Sequence, residues 1–130
     1  MAELAADLAI PLFRAMTRKR WVQNNQVLAA AFVLREGEKG LSVDIHSPNS
    51  AVSNLRETYG VAELKSTGVR DLGLKIEVDD EPHALLIGLL DITPNEANRL
   101  ASQLSRLSRF IPEDICRTQS ESNSSDISDQ

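Results

Sequence analysis

The chain has 130 residues, of which 42% are hydrophobic and 25% charged, a balance typical of one soluble globular domain. The formal net charge is −5, but residues 112–130 hold five acids and one base, so residues 1–111 carry 13 bases against 14 acids. This near-neutral balance argues against a nucleic-acid groove and against a membrane-binding surface.

The sequence also lacks the patterns expected of a secretory signal and of a membrane span. Residues 1–12 include Glu3 and Asp7 and lack the basic start and apolar run of a secretory signal. No stretch approaches the roughly 18 consecutive apolar residues of a membrane span. The only cysteine, Cys116, excludes an internal disulfide and suits a reducing compartment. We therefore expect a cytoplasmic protein.

The first half of the chain predicts strands. Residues 10–16 favour an opening strand, whose Pro11 suggests an edge position. Val27–Leu34 is ambiguous, because its alanines favour a helix and its last three residues a strand. Leu41, Val43 and Ile45 then alternate with polar residues, as in a half-buried strand.

A helix is predicted over residues 48–59. Ser47 is suited to cap it, Pro48 to open it and Gly60 to end it in the left-handed conformation. The short apolar segment 61–64 that follows predicts another strand.

Two further strands are predicted to form a hairpin. Apolar residues alternate from Leu72 to Val78, and residues 84–90 are apolar on both faces, as in a central strand. The connection over 79–82 favours a hairpin loop, which would pair Val78 near His83.

The last predicted helix spans about residues 94–111. Thr93, Pro94 and Glu96 form a capping box. One apolar stripe follows at helical spacing, made of Ala97, Leu100, Ala101, Leu104, Leu107 and Ile111. Residues 112–130 read as a polar, acidic, serine-rich disordered tail.

These elements indicate a single α+β domain over residues 1–111, with a mixed or antiparallel sheet of four to six strands covered by helices.

Candidate catalytic residues are a nucleophile, Ser42, a cation, Arg70, and a base, His83. Serine–histidine chemistry needs the hydroxyl within reach of the imidazole and a third group to orient it. The predicted hairpin places Arg70 roughly 25–30 Å from His83, at about 3.3 Å per residue. The neighbouring Asp71 offers Arg70 a local ion pair instead.

Two other clusters have simpler interpretations. Residues 18–20 are basic and precede Trp21, a combination that can bind phosphates but is more typical of a solvated turn with an anchored aromatic. Asp44, His46 and His83 could supply metal ligands, yet surface polar residues at strand ends explain them better. We therefore predict no metal site and no cofactor.

Several phrases resemble a family of short, uncharacterised bacterial proteins. They are Ala31-Phe32, Gly40-Leu41-Ser42-Val43, Tyr59-Gly60-Val61-Ala62, Val69-Arg70-Asp71-Leu72-Gly73-Leu74 and His83-Ala84 with Gly88. The resemblance covers about residues 10–111 and implies no activity. A remoter likeness, of Leu12-Phe13-Arg14 and Gly40-Leu41-Ser42, is to NAD-consuming ADP-ribosyl transfer toxins. No catalytic glutamate of that fold is assigned here.

Two functions remain open. The leading hypothesis is a non-enzymatic protein-binding or accessory module, which should expose an apolar patch or an open sheet edge. The alternative is a small transferase or hydrolase acting on a phosphate-bearing ligand, such as NAD, through Arg14, Ser42, Arg70 and His83. That enzyme should own a concave polar pocket in which the four side chains converge. The oligomeric state is left open.

Overall fold

A computed structural model describes residues 2–3 and 9–118 of the chain. It contains nine strands, β1 (Ala2–Glu3), β2 (Pro11–Ala15), β3 (Val22–Gln23), β4 (Gln26–Val27), β5 (Leu41–Asp44), β6 (Val61–Lys65), β7 (Lys75–Asp80), β8 (His83–Ile87) and β9 (Arg109–Ile111). Four α-helices follow the strands at intervals, α1 (Pro48–Val52), α2 (Ser66–Asp71), α3 (Pro94–Leu107) and α4 (Glu113–Thr118). The predicted α+β class is confirmed.

Seven strands form one antiparallel sheet in the order β1-β7-β8-β5-β2-β6-β9, while β3 and β4 form a separate hairpin. The sheet's six strands of three or more residues match the predicted four to six, and the two-residue β1 adds to one edge. The strand predicted over residues 10–16 is confirmed as β2, but its edge position is wrong, since β2 lies between β5 and β6. Pro11 is tolerated there because it is the first residue of the strand.

Both faces of the sheet bury apolar side chains. Leu12, Leu64 and Leu86 are buried on one face, where Leu100 and Leu104 of α3 join them. The opposite face packs a second cluster against α1 and α4, consisting of Phe13, Val52, Val61, Ile111 and Cys116. The neighbouring residues of β2 are therefore buried on opposite sides, which makes β2 a central strand.

The predicted helix over 48–59 ends at Val52. Its start is confirmed, because the Ser47 side chain accepts a hydrogen bond from the Ser50 backbone N–H at 2.9 Å. The later residues join the sheet instead, since Tyr59 N–H donates to the Met16 carbonyl and Met16 N–H to the Gly60 carbonyl. Backbone pairing beside β2 and β6 thus replaces the predicted helical turns.

The C-terminal helix is also shorter than predicted. Thr93 caps α3 as expected, its hydroxyl accepting from Glu96 N–H at 3.1 Å, but the helix ends at Leu107. Residues 109–111 form β9 and pair with β6, which is possible because Ser108 is extended. Leu104 is fully buried as predicted, whereas Leu107 is 48% exposed.

Val27–Leu34 forms neither the helix nor the strand that were predicted as alternatives. Val27 ends β4, and residues 29–32 form a short 3₁₀ helix that packs on α3. Another helix, α2, was not predicted, and it delays the strand expected from Leu72 until Lys75.

The hairpin across residues 79–82 is confirmed, with Val78 paired to Ala84, one residue from the predicted partner. A bulge then pairs Asp80 with His83.

The disordered tail predicted over 112–130 is wrong for its first residues. Residues 113–118 form α4, and Cys116 is fully buried against the second cluster. The remaining part of the tail prediction, residues 119–130, lies outside the described residues. None of the described helices is long and apolar enough to span a membrane.

Candidate functional site

A cleft opens where two central strands separate. β2 and β5 pair at a single position, Phe13 with Asp44. Beyond this pair the strands diverge and line a cavity of about 530 Å³. The end of α1, the β7–β8 turn and the segment around Trp21 complete its walls. A volume of this size lies in the range of small-molecule sites.

Arg14 spans the gap between the separated strands. Its side chain donates from Nε to the Ala31 carbonyl at 2.7 Å and from Nη1 to the Ser42 carbonyl at 3.0 Å. If β2 and β5 continued to pair, Ala15 would lie opposite Ser42. Because the pairing stops at Phe13 and Asp44, the Ser42 carbonyl accepts a hydrogen bond from the Arg14 guanidinium instead. Arg14 is only 5% exposed, and two backbone anchors fix its guanidinium in the cleft.

Trp21 organises two arginines in this corner. The Arg14 guanidinium lies 5.1 Å from the centre of the Trp21 ring, and that of Arg35 lies 6.0 Å from it. The Glu38 carboxylate accepts hydrogen bonds from the Arg35 backbone N–H at 2.7 Å and from Arg35 Nη2 at 3.2 Å. Cation–π contacts of this kind orient a guanidinium as well as stabilise it.

The corner carries net positive charge from Arg14. Burial lowers the Arg14 pKa to about 10, an effect that Glu38 opposes and Arg35 reinforces, so Arg14 remains cationic at neutral pH. Burial alone would raise the Glu38 pKa, but hydrogen bonds from Arg35 and the charges of both arginines hold it below its ordinary value. Glu38 therefore stays ionised and occupies Arg35.

Within the described part of the chain, Arg14 Nη2 makes no hydrogen bond, unlike Nε and Nη1. Among the residues described, Thr58 Oγ1 is the one side-chain polar atom that is both fully buried and unbonded. Arg14 Nη2 is therefore accessible, and because Arg14 lines the cleft, its donors are open to a bound group.

His83 lines the same cleft and is held by Asp79. The His83 Nδ1 and Asp79 Oδ1 atoms are 2.6 Å apart. The hydrogen bond to His83 lowers the pKa of Asp79 below its ordinary value. Ser42 lies on the same face of the β5–β8 pair as His83, because Asp44 pairs directly with His83 and Ser42 is two residues from Asp44.

Asp44 has a different role although it also lines the cleft. It is 8% exposed, and its carboxylate accepts from His46 N–H at 2.7 Å, Ser47 N–H at 3.2 Å and Ser50 Oγ at 2.6 Å. With these bonds it shapes the turn into α1. His46 turns to Glu81 instead, with Nε2 and Oε2 3.2 Å apart. No group of three or more His, Cys, Asp and Glu side chains in the described ranges could hold a metal ion.

The structure brings three of the four candidate residues together. Arg14, Ser42 and His83 line the cleft, whereas Arg70 lies in α2 and is absent from its lining. The predicted separation of Arg70 from His83 stays a prediction, since it was counted along an extended strand and Arg70 lies in α2 instead. The sequence interpretation missed the contact of Trp21 with Arg14 and Arg35, because it treated residues 18–21 as a solvated turn with an anchored aromatic.

Asp79 was also missed as a partner of His83. It was assigned only to the connecting loop, although a carboxylate four residues before a histidine across a hairpin is a recognisable pattern.

Apolar exposure is dispersed over the described surface. The large apolar residues that are exposed are Val33, Leu55, Leu90, Leu107 and Ile115. Val33 and Leu90 share a smaller groove of about 290 Å³ beside α3. Scattered exposed apolar residues are normal in soluble proteins, so the protein-binding hypothesis stays a prediction.

Comparisons of the chain with protein-family models, with curated proteins and with solved structures find no match.

Proposed function

We propose that this protein binds a phosphate-bearing small molecule in the cleft between β2 and β5. The observation that carries the proposal is Arg14, a 95%-buried cation that lines the cavity and is fixed by two backbone anchors. A guanidinium fixed in this way is suited to phosphate oxygens, which accept charge-assisted hydrogen bonds.

The positive charge around Arg14 favours a singly charged phosphate group. Arg35 is already paired with Glu38, so Arg14 supplies one uncommitted positive charge. Asp44, Asp80 and Glu81 also line the cavity and would repel a second negative group nearby. A phosphodiester carries a single charge, whereas the two phosphates of NAD carry two adjacent charges.

Trp21 provides a direct assay because it is the only tryptophan and contacts Arg14. We would titrate the protein with 3′,5′-cyclic AMP, which is a phosphodiester, and with NAD and ADP-ribose, and follow Trp21 emission, with calorimetry as a second readout. At least one of these ligands should produce a saturable change. Arg14→Gln should weaken binding at least tenfold, and Arg14→Lys should weaken it less, since lysine keeps the charge but not the planar donors.

Arg106→Gln is the matched control, since Arg106 is an exposed arginine on α3 outside the cleft. It should bind as the parent protein does. Equal binding by the Arg14→Gln variant, or no saturable response to any of the three ligands, would contradict the proposal.

We also propose that the protein is cytoplasmic and of bacterial origin. The single, unpaired Cys116 supports the first. The phrase resemblance described above supports the second.

A further inference from the structure

We infer that the cleft is catalytic and that His83, oriented by Asp79, is the general base for hydrolysis of a phosphodiester anchored at Arg14. This inference rests on the proposed function, because Arg14 must first hold the phosphate.

The tautomer of His83 follows from its partner. A carboxylate only accepts hydrogen bonds, so neutral His83 must carry its proton on Nδ1 to bond Asp79 at 2.6 Å. Its Nε2 then presents a lone pair, and this nitrogen has no hydrogen-bond partner in the described ranges. A free basic nitrogen, a fixed ring and a position on the cleft wall are the attributes of a general base.

The other histidine lacks these attributes. His46 has its Nε2 directed at Glu81, and it does not line the cleft. Both histidines are therefore paired with an acid, but only His83 faces the cavity with an unused nitrogen.

His83 and the Arg14 guanidinium line the same cavity from different sides of the sheet. Asp44 pairs with Phe13 on β2 and with His83 on β8, so these three side chains share one face. Arg14, the residue after Phe13, starts from the opposite face of β2. Its guanidinium reaches the Ser42 carbonyl at the gap between β2 and β5, and Ser42 is a diagonal neighbour of His83, about 7–8 Å away.

The proposed step uses water alone. His83 Nε2 takes one proton from a water molecule while the water oxygen forms a bond to phosphorus. The bond from phosphorus to one ester oxygen breaks, the departing oxygen takes a proton from solvent, and the imidazolium then releases one proton to solvent. Arg14 donates to the non-bridging oxygens, where negative charge increases in the transition state. The products are a phosphomonoester and an alcohol, and nothing is oxidised or reduced.

The test uses bis(p-nitrophenyl) phosphate and 2′,3′-cyclic AMP as probes, with product formation followed by absorbance and by ³¹P NMR. We expect turnover of at least one probe. His83→Asn should reduce the rate at least 100-fold, whereas the matched His46→Asn variant should stay within about threefold of the parent. Asp79→Asn should reduce it about tenfold, because the ring loses its orientation but keeps its base.

A second readout needs no turnover. The ¹⁵N chemical shifts of the imidazole should show the Nδ1–H tautomer for neutral His83 in the parent protein and a mixture in Asp79→Asn. An Nε2–H tautomer in the parent protein would overturn the inference.

The kinetic outcomes separate the two proposals. Ligand binding detected through Trp21 without turnover of either probe, or equal rates for His83→Asn and His46→Asn, would overturn the catalytic inference and leave the binding proposal intact. No ligand response at all would overturn the binding proposal itself.

Discussion

Replacing Arg14 by methionine tests whether the guanidinium holds the two strands in place. Methionine fills a similar volume but donates no hydrogen bond, so the Ala31 and Ser42 carbonyls lose their partner. The bond to Ala31 is buried, and that carbonyl should bear the full cost of being left unbonded, about 1–3 kcal/mol. The bond to Ser42 is only partly buried, so water can replace part of it.

Removing a buried charge returns some desolvation energy, so we expect a net loss of about 2–4 kcal/mol in the free energy of unfolding. Arg14→Lys should lose about half as much, since an ammonium on a flexible stem can reach one carbonyl but does not match both. Urea unfolding followed by Trp21 emission and by circular dichroism would measure both variants. If the free energy of unfolding of Arg14→Met is within about 0.5 kcal/mol of that of the parent, the Arg14 side chain does not hold β2 and β5 in place.

Three further experiments test the fold. Leu104→Ala should cost about 2–5 kcal/mol, because Leu104 is fully buried; an unchanged denaturation midpoint would contradict the placement of α3. Thr93→Ala should cost about 1 kcal/mol while Thr93→Ser costs little, and equal losses would show that the methyl group matters more than the hydroxyl cap. Burial raises the Cys116 pKa to about 11, so Ellman's reagent should react slowly at pH 8 until urea unfolds the chain. Fast reaction without urea would show that α4 does not dock.

Local chemistry in the sequence predicted the starts of α1 and α3 well. The Ser47 and Thr93 caps depend on neighbouring residues alone, and both were found. The ends of the two helices depend on distant partners. Residues 109–111 leave the helical pattern because β6 offers them an edge, which no local pattern records.

The site was predictable only in part for the same reason. Ser42 and His83 could be selected as polar residues beside apolar strand positions, and Arg14 by its resemblance. Their convergence depends on β2 lying beside β5 and separating from it after one pair. The contacts of Trp21 with Arg14 and Arg35 join segments up to 14 residues apart in the chain, and only the folded arrangement brings them together.

The most direct measurement of the central claim is the titration of Trp21 emission with phosphate-bearing ligands in the parent, Arg14→Gln and Arg106→Gln proteins. Binding through Arg14 requires a saturable response in the parent and in Arg106→Gln, with affinity at least tenfold weaker in folded Arg14→Gln. The same affinity in all three proteins, or no response in any of them, would show that the cleft does not bind phosphate through Arg14.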